Sequence, residues 1–262
     1  MLNGIGKWLT DPAHWTRAQG IPQRLLEHLE YSLISLLIAA AIAIPLGIVV
    51  GHTGKAKWAV SLANSLRAVP SLGLLFAVAL WLGPKIANNL AYVIPSVIVL
   101  VLLAVPPILS GTYSGIQEVD PGARDAAKGM GMRGGEVLRK VELPCALPLL
   151  ISGIRSATLQ VIATATIAAS ISLGGLGRFL IDGLSVSDYA QMASGAILVA
   201  VLALVMDGIL SLVQRTVVSP GLTGKFGKQR GGRPVVSTTA RGDASDPASP
   251  TDRADDQREA LV

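Results

Sequence analysis

Four groups of residues in this chain have types and spacings that could do chemistry. Glycines crowd together at 129, 131, 134 and 135, and again at 174, 175 and 177. A glycine-rich loop cradles phosphate when it ends in Lys-Ser/Thr, and neither cluster has that ending. The chain is therefore not expected to hydrolyse ATP itself, and no cofactor is expected in it. The histidines, His14, His28 and His52, are scattered, and Cys145 is the single cysteine. That excludes an intrachain disulfide and a cysteine-rich metal site, and no histidine-based zinc site is expected. Quaternary ammonium ions are held by aromatic cages. Four Trp, four Tyr and three Phe, mostly near the ends of apolar stretches, make no evident cage. A separate protein holding the cage would fit this, and so would an entirely different solute. The last group is polar residues within or beside apolar stretches. Asn64, Gln160 and Thr164 are the candidates for a translocation path, Asn64 also for hydrogen bonding across helices. Arg67 and Arg155 are expected to anchor near cytoplasmic span ends by snorkelling. Asp207 is expected to pair with a neighbouring basic residue or to face water.

The elements that must position these residues are membrane spans. Of the 262 residues, 51% are apolar and only 15% charged, against about a quarter charged in soluble domains. From Ala68 to Gly83 there is no ionisable side chain, and from Leu90 to Gly111 only Tyr92. Apolar runs of about 18 or more residues cross the hydrocarbon layer. Five are expected: Leu29–Val50, Leu62–Leu82, Tyr92–Gly111, Ser152–Leu173 and Ala190–Leu212. Pro45, Pro70, Pro106 and Pro107 lie in or near them, which a helix bundle tolerates because neighbours satisfy the freed carbonyls. The small residues of TATIAASIS (164–172) would serve as a packing face or as the lining of a passage. Met1–Glu30 has mixed charge and does not read as a cleaved leader.

Lys and Arg set the orientation. Lys55, Lys57, Arg124, Lys128, Arg133, Arg139, Lys140 and Arg215 fall on one face if there are five spans. The N-terminus is then outside and the C-terminus cytoplasmic. The expected organisation is an extracytoplasmic segment over 1–28, a transmembrane domain over 29–213 and a disordered cytoplasmic tail over 214–262. The net charge of +5 is accounted for by these cytoplasmic basic segments, and without basic-aromatic interleaving no nucleic acid is expected as a partner.

The segment 113–147 is too long for a turn and too polar to cross a membrane. Asp120-Pro121 has the form of a helix start. Gly122–Lys128 would form one short helix, the glycines a bend, and Glu136–Val141 a second piece that Pro144 ends or kinks. Such a knob can seat in a groove of a partner. The run resembles the EAA loop of permease subunits of binding-protein-dependent ABC importers: Glu-Ala-Ala, three residues, Gly, nine residues, Ile, one residue, Leu-Pro. Here Asp125, Ala126 and Ala127 stand at the triplet, Gly131 at the glycine, Val141 at the isoleucine, and Leu143-Pro144 close it. The departures are Asp for Glu and Val for Ile. The stretches EHLEYSLISLLIAAAIAIPLGI (27–48), NSLRAVPSLGLLFAVALWLG (64–83) and GIRSATLQVIATATIAASISLGGLG (153–177) look most like the glycine betaine, carnitine, choline and proline branch.

That resemblance implies an all-α, type I importer permease with about five transmembrane helices, in a prokaryotic cytoplasmic membrane. It implies a coupling loop made of Asp125, Ala126, Ala127, Gly131, Val141, Leu143 and Pro144, docked on cytoplasmic ATP-binding subunits. It also implies an extracytoplasmic substrate-binding protein and a second permease copy or paralogue, since one short chain cannot enclose a path in the bilayer. The competing expectations are the same architecture for another solute, such as an amino acid, a sulfonate or a metal-chelate, and a stand-alone secondary transporter. The latter usually has two related halves and more spans.

Overall fold

A computed structural model describes residues 2–88 and 90–218. Among these residues the chain is all helical. In order the helices are α1 (Leu2–Thr10), α2 (Pro12–Thr16), α3 (Ile21–Thr53), α4 (Lys57–Ser65), α5 (Ser71–Leu82), α6 (Leu90–Gln117), α7 (Pro121–Gly129), α8 (Gly134–Val137), α9 (Leu143–Ala168), α10 (Gly177–Ser185) and α11 (Tyr189–Val217). Four continuous helices are long and apolar enough to cross a bilayer: α3, α6, the run 134–171 containing α9, and α11. A bent pair, Lys57–Ala68 and Ser71–Lys85, meets at 94° and makes a fifth crossing if the two halves form one span.

Four of the five expected spans are continuous helices and the remaining one, the second, is the bent pair, with boundaries moved by chemistry that hydropathy does not see. Helix α3 starts at Ile21, eight residues before the apolar run. Gly20 is extended there, and Pro22 fits the first turn. Arg24, Glu27 and Glu30 end the apolar run without ending the helix. The second span breaks at Pro70, whose ring removes an amide. The fourth does not begin at Ser152. It continues from α8 through a wide five-residue turn, Leu138–Glu142. Pro144 therefore does not end the second helical piece. It sits in the first turn of α9, just after a π-type turn, where its missing amide is accommodated. Helix α10 was not expected. The segment expected as a tail begins inside α11, which runs to Val217, and 219–262 lie outside the described residues.

The core is where α6 meets α3 and α9. A side chain at Gly111 would lie 2.8 Å from the Gly153 Cα and 2.7 Å from the Leu149 carbonyl oxygen, and one at Gly115 would lie 2.7 Å from the Ala146 oxygen. Bare backbones are thus what let α6 and α9 approach, the usual device where lipid removes the hydrophobic drive between helices. Between α3 and α6, Gly47 lies under Thr112 and Gly51 under Ile116 in the same way. Ala39, Ala43, Leu100, Ala104, Ile108, Ala157, Val161 and Ala165 fill this centre. Of the small-residue run, Thr164, Ala165, Ala168 and Ala169 are all buried, so this part of the stretch is a packing face. At the end away from α7, Glu27 accepts a hydrogen bond from the Gly175 amide at 2.8 Å, and Trp8 packs edge-on against Phe179.

Candidate functional site: the coupling segment and a cavity at the broken span

Asp120 caps α7 by accepting from the Gly122 amide at 3.1 Å, with Pro121 in the first turn. The helix ends in a Schellman arrangement. The Met132 amide reaches the Ala127 carbonyl at 3.2 Å and the Gly131 amide reaches that of Lys128 at 2.9 Å. This geometry needs a left-handed residue at the position after the cap, and Gly131 has φ +84°. The chain then turns into α8, where Glu136 accepts from the Arg133 amide at 3.0 Å.

Along this knob the expected contact residues divide. Asp125, Ala126, Gly131 and Pro144 are exposed, Val141 and Leu143 half-buried, and Ala127 turned inward with 1% of its surface exposed. Ala127 therefore packs the knob against its own chain. At the tip stands Met130, 73% exposed. The spacing motif does not include it, but a flexible thioether presented beside a sharp turn suits a groove on a partner.

A second feature that sequence reasoning missed is a charge cluster fixing α7 to the bundle. Glu142 is 3% exposed. Its carboxylate lies 2.6 Å from His52 Nδ1 and 3.0 Å from Arg124 Nε. The Arg124 guanidinium also donates to the Ile116 carbonyl, and Gln117 donates to the Gly51 carbonyl at 2.6 Å. Helix α7, the ends of α3 and α6, and the start of α9 are thus held at one point. His52 and Glu142 are 90 positions apart, which is why a one-dimensional reading does not pair them.

The path candidates are dispersed. Asn64 accepts from the Ser110 hydroxyl at 3.0 Å, joining α4 to α6. Thr164 is buried, and its hydroxyl donates to the Gln160 carbonyl one turn back at 2.8 Å. Gln160 faces a cavity. This cavity, of about 340 Å³, is bounded by Arg67 and Ser71 at the break in the second span, Leu103 and Pro107 on α6, and Ser156 and Gln160 on α9. Leu103 and Ser156 are the mid-points of their helices. Arg67, an exposed residue, therefore borders this cavity level with the middles of α6 and α9. The Arg155 guanidinium grips Asp207 of α11 at 2.7 and 2.8 Å and reaches Gln214, near the end of that helix, at 3.1 Å, a two-pronged bond between helices.

Known proteins share both the sequence and the architecture. The sequence family described as binding-protein-dependent transport system inner membrane component matches residues 43–219. The glycine betaine/carnitine/choline transport system permease protein OpuCB of Bacillus subtilis (strain 168) is 35% identical over 76% of this chain and 88% of its own length. The osmoprotectant import permease protein OsmW of Salmonella typhimurium is 34% identical over 75% of this chain and 91% of its own. Among solved structures, the MetNI methionine ABC transporter in an inward-facing conformation has a TM-score of 0.69 at 18% identity, covering 80% of this chain and 100% of the other. An amino acid ABC transporter gives 0.61 at 21%, covering 75% and 93%. The expected all-α type I permease fold is therefore the fold of this chain. It belongs to the family of binding-protein-dependent inner-membrane transport components, as an ABC-importer permease subunit of the glycine betaine, carnitine, choline and osmoprotectant group.

Proposed function

We propose that this permease subunit passes quaternary ammonium osmolytes such as glycine betaine, choline or carnitine into the cell. The observation that carries the reading is sustained similarity, at 33–35% identity across about three quarters of the chain, to permeases named for those solutes. A binding protein presents the solute at the face away from α7. A second permease copy or paralogue completes the path. The knob formed by α7, the Gly131 turn and α8 seats on a cytoplasmic ATP-binding subunit. Asp125, Ala126, Gly131 and Met130 make the contact, while Ala127, Val141 and Leu143 hold the knob's shape. The Glu142 cluster then carries displacement of α7 into α3, α6 and α9, because an ion-paired, hydrogen-bonded joint moves as one body. On this reading the knob face is cytoplasmic, which puts the start of α3 outside.

The scarcity of aromatic rings fits a division of labour: the binding protein selects the cation, and the permease offers only passing contacts. The test is uptake of radiolabelled glycine betaine by cells expressing this chain with its ATPase and binding protein, in a host without osmolyte importers. Saturable uptake that disappears with a catalytically dead ATPase is the expected result. With all subunits assembled, uptake of an amino acid or a sulfonate in place of osmolytes would overturn the substrate reading.

A further inference from the structure

Arg67 stands at the break in the second apolar segment without an ion pair among the described residues. Arg155 is held by Asp207 and Arg124 by Glu142. Among the described residues no carboxylate lies within ion-pair distance of Arg67. None lines the cavity that Arg67 borders. Arg67 is exposed on this single chain, and an ionisable side chain within a spanning segment faces a bundle interior or a water-filled cavity and marks a pathway. Here it sits at a broken helix beside a cavity of about 340 Å³, within the size range of small-molecule sites. The lining is two-sided. Arg67, Ser71, Ser156 and Gln160 supply donors, while Leu103 and Pro107 supply an apolar wall.

We propose that this cavity is a transit site for the carboxylate end of a zwitterionic solute, with Arg67 as its binding residue. A guanidinium presents paired donors that match the two oxygens of a carboxylate, and Gln160 and Ser156 lie across the cavity to donate to the same group. The methylated ammonium end needs no hydrogen bonds and rests against Leu103 and Pro107. The site thereby separates solutes that the aromatic cage of a binding protein treats alike. Glycine betaine and carnitine carry a carboxylate, whereas choline carries a hydroxyl and repels the arginine. The inference rests on the importer reading but not on the osmolyte branch, since amino acids carry the same carboxylate.

The experiment measures uptake of glycine betaine, proline and choline by the complete transporter with native Arg67, Arg67→Gln and Arg67→Lys, after co-purification shows equal assembly. Charge-assisted hydrogen bonds of this kind change affinity by about tenfold or more. The ratio of carboxylate-bearing solute to choline uptake at limiting concentration should fall about tenfold in Arg67→Gln and be partly restored in Arg67→Lys. An unchanged ratio overturns the site while leaving the osmolyte reading intact. Transport of proline but not of quaternary ammonium solutes, with the same arginine dependence, overturns the osmolyte reading and supports the site. A native transporter that carries choline and no carboxylate-bearing solute overturns the site.

Discussion

Gly131→Val is expected to lower uptake at least about tenfold, with the chain still inserted in the membrane at its normal level. No atom lies within 4 Å of where a Cβ at Gly131 would be, so the substitution creates no clash. Its effect comes through the backbone. At φ +84° an L-residue is disfavoured by about 1–2 kcal/mol, and a β-branched one by more. The turn escapes that strain by giving up the Met132–Ala127 and Gly131–Lys128 hydrogen bonds, which re-aims Met130 and α8. The contact surface is then misshapen while the spans, held by the glycine crossings of α6 with α3 and α9, stay packed. Gly131→Asn is the control, because Asn tolerates the left-handed region. It should keep most of the uptake. Uptake, membrane abundance and co-purifying ATPase measured side by side decide the matter. Normal transport by Gly131→Val in an assembled complex would remove the coupling-loop assignment.

Glu142→Ala should have the largest effect on stability. Removing one member of a buried charge cluster costs about 3–5 kcal/mol, because the partners stay behind uncompensated. Here the stranded groups are Arg124 and His52, and the joint they lose is the one that fastens α7 to three spans. Thermal unfolding of the detergent-solubilised complex should move to clearly lower temperature. Glu142→Gln keeps the shape and two acceptor or donor positions but loses the charge, and should fall between the two. Uptake should drop further than ATP hydrolysis in Glu142→Gln, since a loosened knob can still seat on the motor without passing its motion on. A native unfolding midpoint together with native uptake in Glu142→Ala would show the cluster to be dispensable.

The residues differ in how much of this they announce. Spans are written locally: a run without charge must be buried or in lipid, so α3, α6 and α11 were legible to within a few residues to a turn or two at each end. The Asp120-Pro121 start and the glycine turn were legible for the same reason, since capping and left-handed backbone are decided by neighbours in sequence. Helix continuity through Pro144 was not, because the π-type turn that accommodates it depends on how α9 packs rather than on any residue type. Arg67 and Arg155 were assigned one fate from their positions near apolar stretches, and the structure gives them different ones. Arg155 meets Asp207, 52 positions away, and Arg67 faces a cavity at the break in the second apolar segment. Glu142, in the unspecified position between Val141 and Leu143, carries no signal in a spacing motif, yet it is the residue around which the joint is built. What sequence conveys poorly in this chain is partnership across the bundle.

The knob at α7 and α8 is expected to touch the ATPase on the cytoplasmic side. The most direct test replaces Met130 with a photo-reactive phenylalanine analogue in the assembled transporter and, separately, does the same at Trp81, which is 67% exposed at the other end of the bundle. Irradiation should give a covalent adduct between the chain and the ATP-binding subunit from position 130 and none from position 81. The absence of that adduct from position 130 in a complex that transports, or its appearance from position 81, would contradict the account.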